Sequence, residues 1–124
     1  MELQIKGMNT VVERFGEWPS FHDAEIIELH LNRESISWLK ILICNEKENK
    51  KKDLKSEKQV VVKFILDKIT DLELADFSSQ NVIFGCEIEK NNDSYKLVLK
   101  PCYGLAGFLV AENISVEIDS HESV

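Results

Sequence analysis

Cysteine, proline and glycine are all scarce in this sequence, with three, two and five copies among 124 residues. The cysteines, Cys44, Cys86 and Cys102, are odd in number and far apart, and no CxxC pair occurs. This pattern argues against a disulfide framework and against a zinc knuckle. Because each thiol lies in or beside an apolar run, we expect buried, reduced side chains, which suits a cytoplasmic protein.

Long apolar runs and cofactor motifs are also missing. No apolar stretch reaches the length of about 18 residues that a membrane span needs. The amino-terminal segment MELQIKGMNTVVERFG contains neither the apolar core nor the small-residue cleavage site of a signal peptide. Dinucleotide-binding, P-loop, HExxH and EF-hand motifs do not occur. We therefore expect no membrane contact, no cofactor and no metal.

Basic residues are in the minority, with 15 Lys and Arg against 22 Asp and Glu and a net charge of −7. Residues 45–58 hold six of the lysines, four acids and one aliphatic residue, so we expect a mobile, solvated loop there. The rest of the chain then carries nine basic and 18 acidic residues. This excess of negative charge disfavours nucleic-acid binding and favours a basic partner.

The apolar periodicity predicts a mainly β, α+β fold in a single domain of residues 1–124. One short helix is expected at 10–16, because Thr10 and Glu13 have capping-box spacing and Gly16 is suited to end a helix. Period-two alternation with hairpin-length connections predicts a largely antiparallel sheet of six or seven strands. The predicted strands are 24–32, 36–44, 60–66, 69–74, 82–88, 95–99 and 114–118, followed by a frayed tail at 119–124.

Three local features refine this prediction. Apolar residues occupy both faces of strand 36–44, so we expect it to be covered on both sides. Segment 75–81 is rich in Asp, Ser and Asn, which indicates a turn or short helical loop with Phe77 as its apolar anchor. Pro101 is expected to end its strand, since proline cannot donate to a strand ladder.

The densest cluster of reactive residue types lies in the segment FGEWPSFHDAEI, which contains His22, Asp23 and Glu25. These side chains are of the types that hold metals or, with Ser20, catalyse hydrolysis. In an extended chain, however, His22 points away from the two carboxylates, and Ser20 lacks the glycines of a nucleophile elbow.

A structural role explains the same segment better. In this interpretation Trp18 and Phe21 fill the end of the sheet as apolar anchors. His22 and Asp23 hydrogen-bond backbone groups of the turn and so determine how the helix leads into the first strand.

Acidic residues recur at outward positions of the predicted strands. Two pairs, Glu87 with Glu89 and Glu117 with Asp119, lie two residues apart and hence on one face, as glycosidase carboxylates would. A solvated sheet face is the simpler explanation of such pairs, and the same rows would form an acidic binding surface. The candidate contact residues are Glu28, Asp71, Glu73, Glu87, Glu89, Glu117 and Asp119.

Two segments of the chain resemble the immunity protein 50 family. In the first, FGEWPSFHDAEIIELHL, an aromatic residue and glycine precede Trp-Pro-Ser-Phe-His-Asp-Ala-Glu, which leads into an alternating apolar strand. The second, DLELADFSSQNVI, matches more loosely at Phe77, Gln80 and Asn81. The resemblance extends over approximately residues 9–118.

The resemblance implies a predominantly β, non-enzymatic bacterial protein of a polymorphic-toxin system, which binds a cognate toxin domain and needs no cofactor. It leaves open whether the family-typical residues stabilise the fold or contact the toxin. These residues are Trp18, Pro19, Ser20, Phe21, His22, Asp23 and Glu25.

Three functions are compatible with this sequence. The leading hypothesis is a cytoplasmic inhibitor whose outward carboxylates cover the basic surface of a toxin domain. The second is a non-catalytic interaction or structural module outside any toxin system. The third is a small hydrolase that uses His22 with Asp23 or Glu25.

Overall fold

The computed structural model describes residues 4–44 and 59–119. This part of the chain forms one short helix and six strands, namely α1 (Met8–Phe15), β1 (Ala24–His30), β2 (Ile36–Cys44), β3 (Gln59–Ala75), β4 (Val82–Lys90), β5 (Tyr95–Tyr103) and β6 (Ala106–Asp119). All paired strands are antiparallel, and their order β1-β2-β3-β6-β5-β4 closes into a barrel because β4 pairs with β1. The predicted mainly β, α+β fold is confirmed. The expected loop at 45–58 lies outside the described residues, as does the expected tail except for Asp119, which belongs to β6.

Helix α1 begins two residues before its predicted start. Gly7 is the N-cap with a φ of 91°, and no side chain caps the first turn, so the predicted capping box at Thr10 is wrong. Glycine is required at position 7, since a Cβ there would overlap the carbonyl oxygen of Val116. The predicted end is confirmed, because Gly16 has a φ of 88° and donates its N–H to the Val12 carbonyl at 2.7 Å.

Two hairpins follow the alternation closely. β1 pairs with β2, and β4 pairs with β5. At the tip of the second hairpin, Asn91 donates its N–H to the carbonyl of Ser94 at 2.8 Å. Both hairpins were predictable because short connections place neighbouring strands side by side.

The two strands predicted at 60–66 and 69–74 are instead one continuous strand, β3. Lys68 has a φ of 67°, and the register with β6 shifts between Ile69 and Asp71. Such a β-bulge adds a residue without ending the strand. The sequence prediction was wrong here because a bulge and a turn interrupt the alternation in the same way.

β5 and β6 are longer than the alternation indicated. β5 continues through Pro101 to Tyr103, so the prediction that Pro101 ends this strand is wrong. Pro101 lies opposite Ile83, where the β4–β5 register is irregular, and its missing N–H therefore removes no regular ladder bond. β6 begins at Ala106 rather than near Ile114.

The hydrophobic core lies inside the barrel and is completed by α1, which contributes Val11 and Phe15. Leu39 and Ile41 of β2 are fully buried in it. Trp38, on the opposite face of β2, is only partly buried. The prediction that β2 is covered on both sides is therefore wrong, since a barrel encloses one face of each strand.

The cysteines do not share one environment. Cys44 and Cys102 are exposed, so the expectation of buried thiols is wrong for both. Cys86 packs against the core, and burial raises its pKa to about 12, with a smaller contribution from the neighbouring Glu87 carboxylate. The Cys86 thiol therefore remains protonated at neutral pH and behaves as an apolar side chain.

The segment between β2 and β3 should be dispensable for folding. Cys44 lies opposite Gln59, so a two-residue Asn-Gly turn can join the two strands in place of residues 45–58. We expect this replacement to change the free energy of unfolding by less than about 1 kcal/mol, because loop-closure entropy depends weakly on length. Urea unfolding of both proteins measures the difference, and a larger loss would show that the segment packs against the barrel.

Candidate functional site

The family-like motif at residues 18–25 connects α1 to β1 and closes one end of the barrel. The Phe21 side chain is 2% exposed, and its ring centroid lies 5.8 Å from that of Phe64 in the core. Trp18 is partly buried and packs edge-on against both rings, at centroid distances of 5.7 Å and 6.3 Å. The Asp23 N–H donates to the Ile83 carbonyl at 2.9 Å, which attaches the motif to β4.

The polar residues of the motif lie on the surface. Phe21 and Asp23 have φ values of 64° and 68°, so the chain turns here rather than extending. His22 and Asp23 are consequently together, with Nδ1 3.3 Å from Oδ2, and the expectation that they point to opposite sides is wrong. The His22 ring packs edge-on against exposed Phe84, with centroids 5.1 Å apart. The Ser20 hydroxyl accepts the backbone N–H of His22 at 3.2 Å.

A groove with a volume of about 650 Å³ runs beside this motif. Residues 19–25 form one wall, and residues 42–44 with Gln59 form the other. Within residues 4–44 and 59–119, no group of three His, Cys, Asp or Glu side chains could hold a metal ion. The contacts of Trp18, Phe21 and the Asp23 N–H hold the turn between α1 and β1 in place. The exposed polar atoms of Ser20, His22 and Asp23 are suited to hydrogen bonding.

Asn81 is the polar residue whose importance sequence reasoning missed. Its side chain is 3% exposed, and Oδ1 accepts the N–H groups of Ser78 and Leu105, both at 2.9 Å. Nδ2 donates to the Ser78 carbonyl at 2.9 Å. Phe77 is 64% exposed, so the prediction that it anchors segment 75–81 is wrong. A turn-forming Asn gives no sequence signal for burial, because most such residues are solvated.

The candidate acidic residues fall on two outer faces of the barrel. One, the Trp38 face, carries the outward residues Glu28, His30, Trp38, Lys40, Lys63, Glu117 and Asp119. The His30 ring stacks on Trp38 with centroids 3.9 Å apart, and Lys63 Nζ lies 4.6 Å from the Trp38 ring centroid. The indole Nε1 donates to Glu28 Oε2 at 2.7 Å, so Trp38 is held from several sides.

Lysines of the same strands neutralise much of the negative charge on the Trp38 face. Lys40 Nζ lies 3.0 Å from Asp119 and 3.8 Å from Glu28, and Lys63 Nζ lies 3.9 Å from Glu117. The hydrogen bond to Asp119 is the largest of the effects that raise the pKa of Lys40. The three acidic candidates on this face are thus paired within the protein.

The second outer face, the Phe108 face, carries Asp71, Glu73, Glu87, Glu89, Lys96, Val98, Phe108 and Val110. Two cross-strand rows build it, Glu87–Val98–Phe108–Glu73 and Glu89–Lys96–Val110–Asp71. The middle of this face therefore consists of Val98, Phe108, Val110 and Lys96, and carboxylates lie on both sides. Lys96 Nζ lies 4.4 Å from the Phe108 ring centroid, and Glu87 pairs with Lys100 at 2.8 Å.

A family model described as immunity protein 50 matches residues 7–120, which include the motif, Asn81 and both outer faces. The chain belongs to the immunity protein 50 family. No curated protein and no solved structure gives a significant match.

In this member of the immunity protein 50 family, the family-like residues occupy different environments. Phe21 and Asn81 are buried, whereas His22 and Asp23 are exposed. Among the described residues, α1 is the one helix, and its eight residues are too few to span a membrane.

Proposed function

We propose that this protein is a cytoplasmic, non-catalytic immunity protein that binds a cognate toxin domain and blocks it without a cofactor. Membership of the immunity protein 50 family, with a match over residues 7–120, is the observation that carries this proposal. The excess of acidic residues supports a basic toxin surface as the partner.

The Phe108 face is the surface we propose for toxin binding. Its centre is apolar except for Lys96, which lies over the Phe108 ring, and its border carries carboxylates. This arrangement resembles that of protein interfaces, in which desolvated apolar contacts are surrounded by polar ones. Within the described ranges, Asp71, Glu73 and Glu89 form no ion pair, whereas the acids of the Trp38 face pair with lysines. Unpaired carboxylates can attract a basic partner without first breaking an internal contact.

Reversing charge on the Phe108 face tests this proposal. The probe is the cognate toxin domain, to be identified from the genes adjacent to this one. We expect the combined change Asp71→Lys, Glu73→Lys and Glu89→Lys to slow association with it by about tenfold or more at low salt. Association rates at low and physiological salt, measured by biolayer interferometry, give the effect. Protection of cells that express the toxin domain should fall in parallel.

The matched control reverses Glu13, Glu34 and Asp67, which are exposed and lie outside the Phe108 face. Both triple variants change the net charge equally, so a difference between them reports the location of the charge. If both variants slow association equally, the effect comes from overall charge and not from the Phe108 face. Full binding by a folded Phe108-face variant would show that the toxin contacts another surface, and no binding by the parent protein would contradict the immunity function.

A further inference from the structure

Within residues 4–44 and 59–119, one edge of β4 has no strand partner over most of its length. On the side away from β5, β4 pairs with β1 only at Val82 and Ile83. Register shifts between Val82 and Gly85 bend the strand there, as bulges do where pairing ends. Among the described strands, none pairs with residues 84–90 on this edge.

The hairpin tip determines which backbone groups point to the open edge. Asn91 donates its N–H to the Ser94 carbonyl, so these two residues form a hydrogen-bonded pair. Hydrogen-bonded and non-hydrogen-bonded pairs alternate along an antiparallel ladder. Glu87 and Glu89 therefore bond to β5. The residues between and beside them are Cys86, Ile88 and Lys90. Their backbone N–H and C=O groups face outward from the open edge.

A groove with a volume of about 610 Å³ lies between this edge and α1. Its apolar lining comes from Met8 and Val12 of α1, from Trp18 and from Ile88, all of them partly exposed. Cys86 also lines the groove, and its protonated thiol adds to the apolar surface. Glu87 and Glu89 border the groove on the side of the Phe108 face.

Unpaired strand backbone beside an apolar groove is the arrangement by which proteins bind an extended segment as an additional strand. We propose, on the basis of the proposed immunity function, that the toxin domain docks by adding an extended segment to the open edge of β4. Cross-strand neighbours share a face, so toxin side chains opposite Ile88 enter the groove. Toxin side chains opposite Glu87 and Glu89 lie on the outer face beside these carboxylates, which favour basic partners. We therefore expect the toxin segment to alternate apolar and basic residues.

A substitution in the wall of the groove tests the proposal. Val12→Arg places a long, charged side chain in the groove, and Thr10→Arg adds the same charge at an exposed helix position that does not line it. With the same cognate toxin domain as the probe, we expect Val12→Arg to raise the dissociation constant by about tenfold or more, while Thr10→Arg changes it by less than about twofold. Thermal unfolding of each variant checks that the fold is intact.

Residue-resolved amide exchange on the unmodified protein supplies a second measurement that needs no variant. Toxin binding should slow exchange at Cys86, Ile88 and Lys90 by about tenfold or more, because strand addition gives their N–H groups new acceptors. Glu87 and Glu89 are internal references, since their N–H groups already bond to β5.

The possible outcomes separate the two proposals. If the parent binds the toxin domain, but Val12→Arg binds like Thr10→Arg and the three amides exchange unchanged, strand addition is wrong and the immunity function stands. If the parent does not bind the toxin domain, both proposals fail. Sedimentation could instead show that the parent self-associates and that Val12→Arg abolishes this without changing toxin binding. The open edge then binds a second copy of this chain, and the proposal is overturned.

Discussion

Replacing Phe21 by alanine should lower the free energy of unfolding by about 3–5 kcal/mol, which is the usual cost of removing a buried phenylalanine. The Phe21 side chain is 2% exposed and contacts the rings of Trp18 and Phe64. Its loss leaves a cavity at the point where α1 leads into β1. Because such a loss is a large fraction of the stability of a small domain, we expect a clear fall in the urea midpoint.

Phe84→Ala is the matched control, since it removes the same atoms from a side chain that is 56% exposed. We expect this variant to remain within about 1 kcal/mol of the parent. Trp18→Ala should destabilise less than Phe21→Ala, because Trp18 is only partly buried. If Phe21→Ala unfolds like the parent but no longer binds the toxin domain, the motif is an exposed recognition element, contrary to its packing here.

The second large effect is expected at Asn81, where alanine should destabilise the fold by about 2–3 kcal/mol. The substitution removes three side-chain hydrogen bonds and leaves the buried N–H of Leu105 without an acceptor. The Asn81 carbonyl also accepts the N–H of Ile26 at 2.8 Å, so the segment holds β1 beside the start of β4. The alanine variant keeps this backbone bond but loses the side-chain bonds that position the segment, which should loosen the closure of the barrel.

Asn92 in the β4–β5 turn is a suitable comparison, because it is exposed and the described contacts include no hydrogen bond from its side chain. We expect Asn92→Ala to change the free energy of unfolding by less than about 0.5 kcal/mol. Urea unfolding of both alanine variants measures the difference. Equal stability of the two would mean that the Asn81 amide is replaceable by solvent.

The hairpins and the carboxyl end of α1 were predictable because their signals are local. Alternating apolar residues identified β2 with its observed bounds, and Gly16 was recognised as the helix end because left-handed backbone favours glycine. Position 7 was not recognised, since its glycine is required by the approach of Val116, a residue distant in the sequence. The bulge divides β3 into two predicted strands, because alternation reports side-chain direction and not strand pairing.

The same distinction between local signals and long-range contacts applies to the candidate site. The sequence alone identified the aromatic motif and the outward acids, because residue type and strand period suffice to select them. It could not show that Lys40 and Lys63 neutralise the acids of the Trp38 face, since those ion pairs join different strands. The open edge of β4 was equally invisible, because pairing is a property of two strands and not of one.

By itself, then, the sequence determined the fold class, the strand periodicity, the acidic character and the resemblance to the immunity protein 50 family, all of which depend on local pattern and composition. Tertiary structure decided the closure of the barrel, the burial of Asn81, the division of the acids into paired and unpaired sets, and the free edge beside α1. The physical reason is that these features depend on distances between residues far apart in the chain, which only long-range packing and hydrogen bonding set.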